Sequence, residues 1–146
     1  MSKYVILIPC FNDWECLNIL IPKISQALKK TNEEVNILII NDGSTKKNNL
    51  SFKKMSGLKK IEVLNLKNNV KAQIAVATGL HFLRKEKFQG GIIAMDADGQ
   101  DDPKYLVDII RESKKNPEKT ITINRSKRED ELPFKILYQA YLFLAF

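Results

Sequence analysis

Asp96 and Asp98 stand one residue apart, directly after the apolar run 91–95, and Gln100, Asp101 and Asp102 follow at once. Two carboxylates at that spacing on a strand exit can put hard oxygens on one divalent cation, Mg²⁺ or Mn²⁺, that keeps coordination positions for phosphate oxygens. The competing use is helix capping, because acids ahead of a helix are favoured by its dipole. Asp102-Pro103 already meets that need, with Asp as N-cap and Pro at the first helical position. Asp96 and Asp98 are then surplus, and crowded carboxylates repel unless a cation offsets them.

Other residues with chemical potential are individually ambiguous. Asp42-Gly43-Ser44 reads either as a turn or as a carboxylate accepting hydrogen bonds from a nucleobase or ribose. Asn12-Asp13 can cap a helix that begins at Trp14. Lys71 and Arg125 read as solvated cations, of which Arg125, directly after a β-branched run, is the better placed to meet a diphosphate. His81 is the only histidine and falls on an apolar helical stripe, so packing outweighs general-base chemistry. Cys10 and Cys16 have no neighbouring base and no metal-ligand spacing, and read as structural. No Gly-rich phosphate loop is present, so a nucleotide would have to be held by carboxylates, a metal and cations.

These residues share one rim only if the chain folds as a parallel sheet. Residues 5–8 and 35–40 are continuous apolar runs, as expected of strands buried on both faces. Residues 61–66, 91–95 and the β-branched 120–123 read as three more strands. Helical stripes fill the gaps: Trp14, Leu17, Ile21, Ile24 and Leu28, with Pro22 expected to kink the helix or mark a fresh first turn; Ile74, Ala77, Thr78 and His81; and Leu106, Ile109 and Ile110. Residues 44–57 are polar and read as loop with a weak helix. Strand–helix alternation of this kind predicts an α/β fold, a mainly parallel sheet with helices on both faces. Ligands in such sheets sit beyond the carboxyl ends of the strands, where the acids and amides above fall.

Composition narrows the partners. The chain has 146 residues, 44% hydrophobic and 28% charged, with 24 Lys and Arg against 17 Asp and Glu. That is one ordinary globular domain, neither disordered nor collagen-like, with a net charge of +7 that favours anionic partners. Two cysteines suit a reduced, cytoplasmic setting, and the N-terminus lacks the features of a signal peptide. No run reaches the ~20 apolar residues of a membrane span. The apolar end stops mid-pattern without a capping signal and reads as a cut.

Taken in order, the segments resemble the family-2 glycosyltransferases of the GT-A fold, and within them the dolichol-phosphate mannose synthase and polyprenyl-phosphate sugar transferase branch. The matching pieces are Pro9-Cys10-Phe11-Asn12-Asp13, Asn41-Asp42-Gly43-Ser44-Thr45, Asn68-Asn69-Val70-Lys71 with Ala75 to Leu80, Asp96-Ala97-Asp98-Gly99-Gln100, and Asn124-Arg125-Ser126-Lys127-Arg128. The resemblance covers nearly the whole chain. It implies a Rossmann-like GT-A domain, shortened, with residues 1–131 as the nucleotide-sugar-binding part and 132–146 as the start of an apolar helix, open between a membrane-lying helix and a plain core helix whose packing partners were cut off. It implies that Pro9 and Asn12 shape the nucleotide pocket, that Asp13 meets the ribose or base, that Asp42 bonds the base, and that Lys71 belongs to the same donor site. Asp96, Asp98 and Gln100 would hold the divalent ion that bridges the diphosphate, and Arg125 would contact the diphosphate or an acceptor phosphate. Asp96, Asp98 and Arg125 are thus the expected catalytic set. The implied reaction is inverting transfer of a sugar from a UDP- or GDP-linked donor to an acceptor such as a polyprenyl phosphate, by a protein peripheral on the inner face of the membrane. Two departures stand out: Asn41 where an acid is common, and Val70 where the family usually has glycine.

Other functions fit less well. A receiver-type signalling domain needs a phospho-acceptor acid after the third strand, where Lys67-Asn68-Asn69 stands, and a dehalogenase-type phosphatase carries Asp-x-Asp after its first strand. Nucleic acid is not an expected partner, because the basic residues are scattered and no stacking motif interleaves with them. The open alternative is a module that binds a nucleotide-sugar without catalysis, the acceptor half being absent.

Overall fold

The computed structural model describes residues 3–51 and 55–123. Within them the order is β1 (Tyr4–Cys10), α1 (Trp14–Leu28), β2 (Val35–Asn41), β3 (Leu58–Asn65), α2 (Ala72–Lys85), β4 (Gly91–Ala94), a 3₁₀ turn (Pro103–Tyr105) and α3 (Leu106–Lys115). The four strands form one sheet in the order β3-β2-β1-β4, with every pairing parallel. The expected α/β architecture is present.

Strand alternation divides the core between the two faces. Ile6, Ile8 and Cys10 of β1 and Ile37 and Ile39 of β2 pack with Leu17, Ile21, Ile24 and Leu28 of α1 and Leu106 and Ile110 of α3. Val5, Leu7, Leu38 and Ile40 point the other way, against Ala75 and Leu83 of α2. β1 lies between β2 and β4, and all seven of its residues are buried, which is why it reads as an unbroken apolar run.

Several local expectations change in the structure. The α1 stripe is buried as expected, and a single helix spans Pro22 rather than starting afresh there. The α2 stripe is displaced: Ile74, Ala77 and His81 are exposed, and the buried positions are Ala75, Gly79 and Leu83. Gly79 sets that rotation, since a Cβ there would lie 2.6 Å from Leu7 Cδ1 and 2.9 Å from Ile40 Cδ1. The helix settles with its smallest residue against the sheet, which outweighs the burial of Ile74. Residues 120–123 form no strand, and Ile123 is exposed; a β-branched run needs a ladder partner to become one. The described part of 44–57 holds no helix.

Candidate functional site

The carboxyl ends of the strands are stitched into one rim. The Asp42 amide donates to the Cys10 carbonyl at 2.8 Å, the Leu66 amide to the Asn41 carbonyl at 2.8 Å, and the Met95 amide to the Leu7 carbonyl at 3.0 Å. The turns that follow β1, β2 and β3 therefore start level with one another, while β4 ends three residues lower, with Ala94 beside Leu7. A cleft of about 310 Å³ opens there, bordered by Pro9, Phe11, Asp13, Asp42, Asp96 and Asp98. Segments 86 residues apart, from Cys10 to Asp96, meet in it.

Each predicted residue among the described ones has a definite place. Asp42 is 2% exposed, and its Oδ1 accepts from the Val70 amide at 2.7 Å, tying the loop after β3 to the cleft wall. Gly43 makes that approach possible: it has φ +68, and a Cβ would lie 2.7 Å from backbone atoms of Asn68 and Asn69, which cannot yield. Asn12, itself at φ +65, turns its Oδ1 away to accept from the amides of Thr45 at 2.9 Å and Lys46 at 2.8 Å, while its own amide donates to Ser44 Oγ at 2.9 Å. It braces the loops after β1 and β2 and does not border the cleft. Asp13 occupies the N-cap position of α1 without making a side-chain cap bond, and it borders the cleft.

The helix before α3 is capped by Asp102, whose Oδ1 accepts from the Lys104 amide at 3.0 Å. Capping is therefore accounted for without Asp96 or Asp98, both of which border the cleft. Asp98 Oδ1 accepts from the Gln100 amide at 2.9 Å, and the Asp96 amide donates to Asp101 Oδ2 at 3.0 Å, so the turn between them is fixed by its own acids. Gln100 lies off the cleft, and no group of three or more His, Cys, Asp or Glu among the described residues could hold a metal ion. Two exposed hard-oxygen carboxylates on one cleft do fit Mg²⁺ or Mn²⁺, cations that take few protein ligands and complete their shell with water and phosphate.

Lys71 is exposed at the start of α2 with φ 72 and ψ 153, a conformation that is essentially glycine's alone. The strain thus falls one residue after Val70, where a glycine was expected, and Val70 itself packs partly buried against the α2-side core. Cys10 is buried, and burial pushes its thiol up to about 11, which makes it inert. Arg125 and the basic segment around it lie outside the described residues, as does the segment 132–146. Among the described residues, no helix is long and apolar enough to cross a membrane.

Phe11 was not singled out by sequence reasoning, yet it borders the cleft and is 43% exposed. The available signal was its position, an aromatic directly after a buried strand. Ala72 at the start of α2 was also missed, and a small apolar residue carries no sequence signal at all.

Comparison with known proteins bears on the family and the fold. The family described as "Glycosyl transferase family 2" matches residues 5–145. An uncharacterized glycosyltransferase of Bacillus subtilis (strain 168), YkcC, is 25% identical over 134 residues, covering 91% of this chain and 40% of that protein. The crystal structure of S. aureus TarS 1–349 superposes with a TM-score of 0.51 at 15% identity, covering 88% of this chain and 40% of that one. At that identity the likeness is one of fold. The chain spans 40% of the length of each of these relatives.

Proposed function

Since the chain belongs to glycosyl transferase family 2, we propose that its cleft binds a nucleoside-diphosphate sugar and presents the sugar for transfer. The observation that carries this reading is the convergence of Asp13, Asp42, Asp96 and Asp98 on one cleft at the strand ends. Four carboxylates in one place suit a ligand rich in hydroxyl and amide donors together with a cation that neutralises its diphosphate.

The chain's own residues divide the work. Phe11 offers an exposed aromatic face against which a base can lie. Asp42, held by the Val70 amide, and Asp13, unspent at the helix cap, accept from base or ribose. Asp96 and Asp98 hold the divalent ion, which when bound offsets charge on the leaving diphosphate. Lys71, one residue before the cleft-lining Ala72, is assigned the diphosphate as a cation, and Arg125 is assigned the diphosphate or an acceptor phosphate. In the transfer, an acceptor oxygen bonds to the anomeric carbon as the bond from that carbon to the diphosphate oxygen breaks. The electron pair leaves with the nucleoside diphosphate, and the anomeric centre inverts. An anionic acceptor such as a polyprenyl phosphate is already deprotonated, which suits a cleft with no histidine. Work at the inner face of the membrane follows from that acceptor.

A second reading is donor binding without transfer by this chain alone. It is favoured by one observation: the cleft residues are here, while the chain spans 40% of its relatives' length.

Calorimetric titration with UDP and GDP, each with and without Mn²⁺, tests the donor site. Binding of one nucleotide that depends on Mn²⁺ is expected. Asp98→Asn should weaken it about tenfold or more, the worth of a charged contact, while the circular dichroism spectrum stays unchanged. Equal affinity of Asp98→Asn and wild type in Mn²⁺ sinks the metal assignment. A measured release of nucleoside diphosphate with sugar transfer would separate the two readings.

A further inference from the structure

Asn41 ends β2 at the position where an acid is common, and it does not border the cleft. Both polar ends of its side chain are spent elsewhere. Oδ1 accepts from the Ser44 amide at 3.0 Å, and Nδ2 donates to Asn65 Oδ1, across the β2–β3 ladder, at 2.8 Å. A backbone amide can be nothing but a donor, so it fixes which end of Asn41 is the oxygen. The other end is then a donor, and Asn65 must turn its own oxygen toward it.

The pair matters because of where it lies. Among the described residues β3 is an edge strand, paired with β2 alone, so the sheet holds the loop 66–71 from one side. Asn41 and Asn65 close the last rung before that loop, and the Leu66 amide donates to the Asn41 carbonyl at 2.8 Å. Further out, Gly43 lets Asn68 and Asn69 close on the turn after β2, and Asp42 Oδ1 takes the Val70 amide at 2.7 Å. The next residue is Lys71, whose φ of 72 and ψ of 153 persist only where the surroundings over-determine them. Its carbonyl accepts from the Ala75 amide at 2.9 Å, which opens α2, and Ala72 borders the cleft. The chain of contacts thus starts at the sheet edge and ends on a cation next to the cleft wall.

We propose that Asn41 and Asn65 are positioning residues of the donor site: they seat the loop 66–71 on the turn after β2 and through it place the Lys71 ammonium at the diphosphate. The proposal rests on the donor reading of the cleft. Neither asparagine borders the cleft, so each acts through Lys71 and not on the ligand. An acid at position 41 would serve the same end. Its carboxylate would accept from Ser44, and Asn65, which is exposed, would turn its amide over to donate.

Calorimetry in Mn²⁺ tests this on the full chain, with whichever of UDP and GDP the wild type binds. Lys71→Gln should weaken binding about tenfold, the worth of a charged contact. Asn65→Ala, at an exposed position, should weaken it about threefold, and Asn41→Ala, which also frees the Ser44 amide, about fivefold. Asn41→Asp should bind within about twofold of wild type, because both hydrogen bonds can be remade. In a Lys71→Gln background, Asn65→Ala should cost less than about 1.5-fold, since the group it places is gone. A merely structural loss would be the same in both backgrounds. Equal binding by Asn65→Ala and wild type, an undiminished Asn65→Ala effect without the lysine, or an Asn41→Asp as weak as Asn41→Ala overturns the assignment while the donor site stands. So does a Lys71→Gln that binds like wild type. A wild type that binds neither nucleotide overturns the donor reading itself, and this assignment with it.

Discussion

At the residue scale, the site is built by side chains that hold loops as much as by those that face the cleft. Asn12 satisfies two amides of the loop after β2 through one oxygen and adopts the left-handed conformation that asparagine tolerates. Asn12→Ala should therefore cost about 1–2 kcal/mol in urea unfolding, with Asn12→Asp, which keeps the acceptor, costing less. Lys71 is the opposite case, a residue whose backbone works against it. Strain of this type costs about 1–3 kcal/mol, and glycine gives back part of the gain through its larger unfolded-state entropy. Lys71→Gly should raise stability by about 1 kcal/mol. If its ammonium serves the diphosphate, the same variant binds nucleotide more weakly, so calorimetry and thermal unfolding should move in opposite directions.

At the element scale, the position of α2 is set by contact rather than by hydrophobicity. Ile74 is 57% exposed while Gly79, five residues on, is buried against Leu7 and Ile40. Close approach at Gly79 brings the start of α2, with Ala72, to the cleft. Gly79→Val should lift the helix from the sheet and cost about 1–3 kcal/mol in urea unfolding, the usual cost of overpacking. A variant as stable as wild type would show that α2 can rotate or shift without penalty.

At the scale of the whole molecule, the end of α3 is fastened to the turn between α1 and β2 by Lys114 and Glu33, 2.5 Å apart, with the Glu33 side chain largely buried. The hydrogen bond from Lys114 lowers the Glu33 pKa below its ordinary value, and the same bond raises that of Lys114. A lowered carboxylate pKa means that the unfolded chain takes up the proton first. The pair's stabilisation is thus complete above the ordinary carboxylate pKa and is lost as pH falls through the lower, folded value. Glu33→Gln should reduce Tm at about pH 7, and the difference from wild type should shrink as pH falls below the ordinary carboxylate range. A difference that persists in acid would mean that Glu33 acts by packing alone.

The sequence by itself determined the parallel sheet and the rim. Residues 5–8 and 35–40 are too apolar to face water on either side, so they had to become inner strands, and the polar residues directly after them had to share one edge. It also determined the cap at Asp102, because local hydrogen bonding between neighbours decides it. The tertiary structure alone decided which helix face is buried in α2, that Asn12 braces while Asp13 faces the cleft, and that the strain lies at Lys71 rather than Val70. It alone decided that 120–123 forms no strand within the described residues. Each of these depends on atoms distant in the chain: Leu7 and Ile40 under Gly79, the Thr45 and Lys46 amides beside Asn12, and Asp42 holding Val70. Periodicity along the chain records what is apolar, whereas only packing in space records what fits.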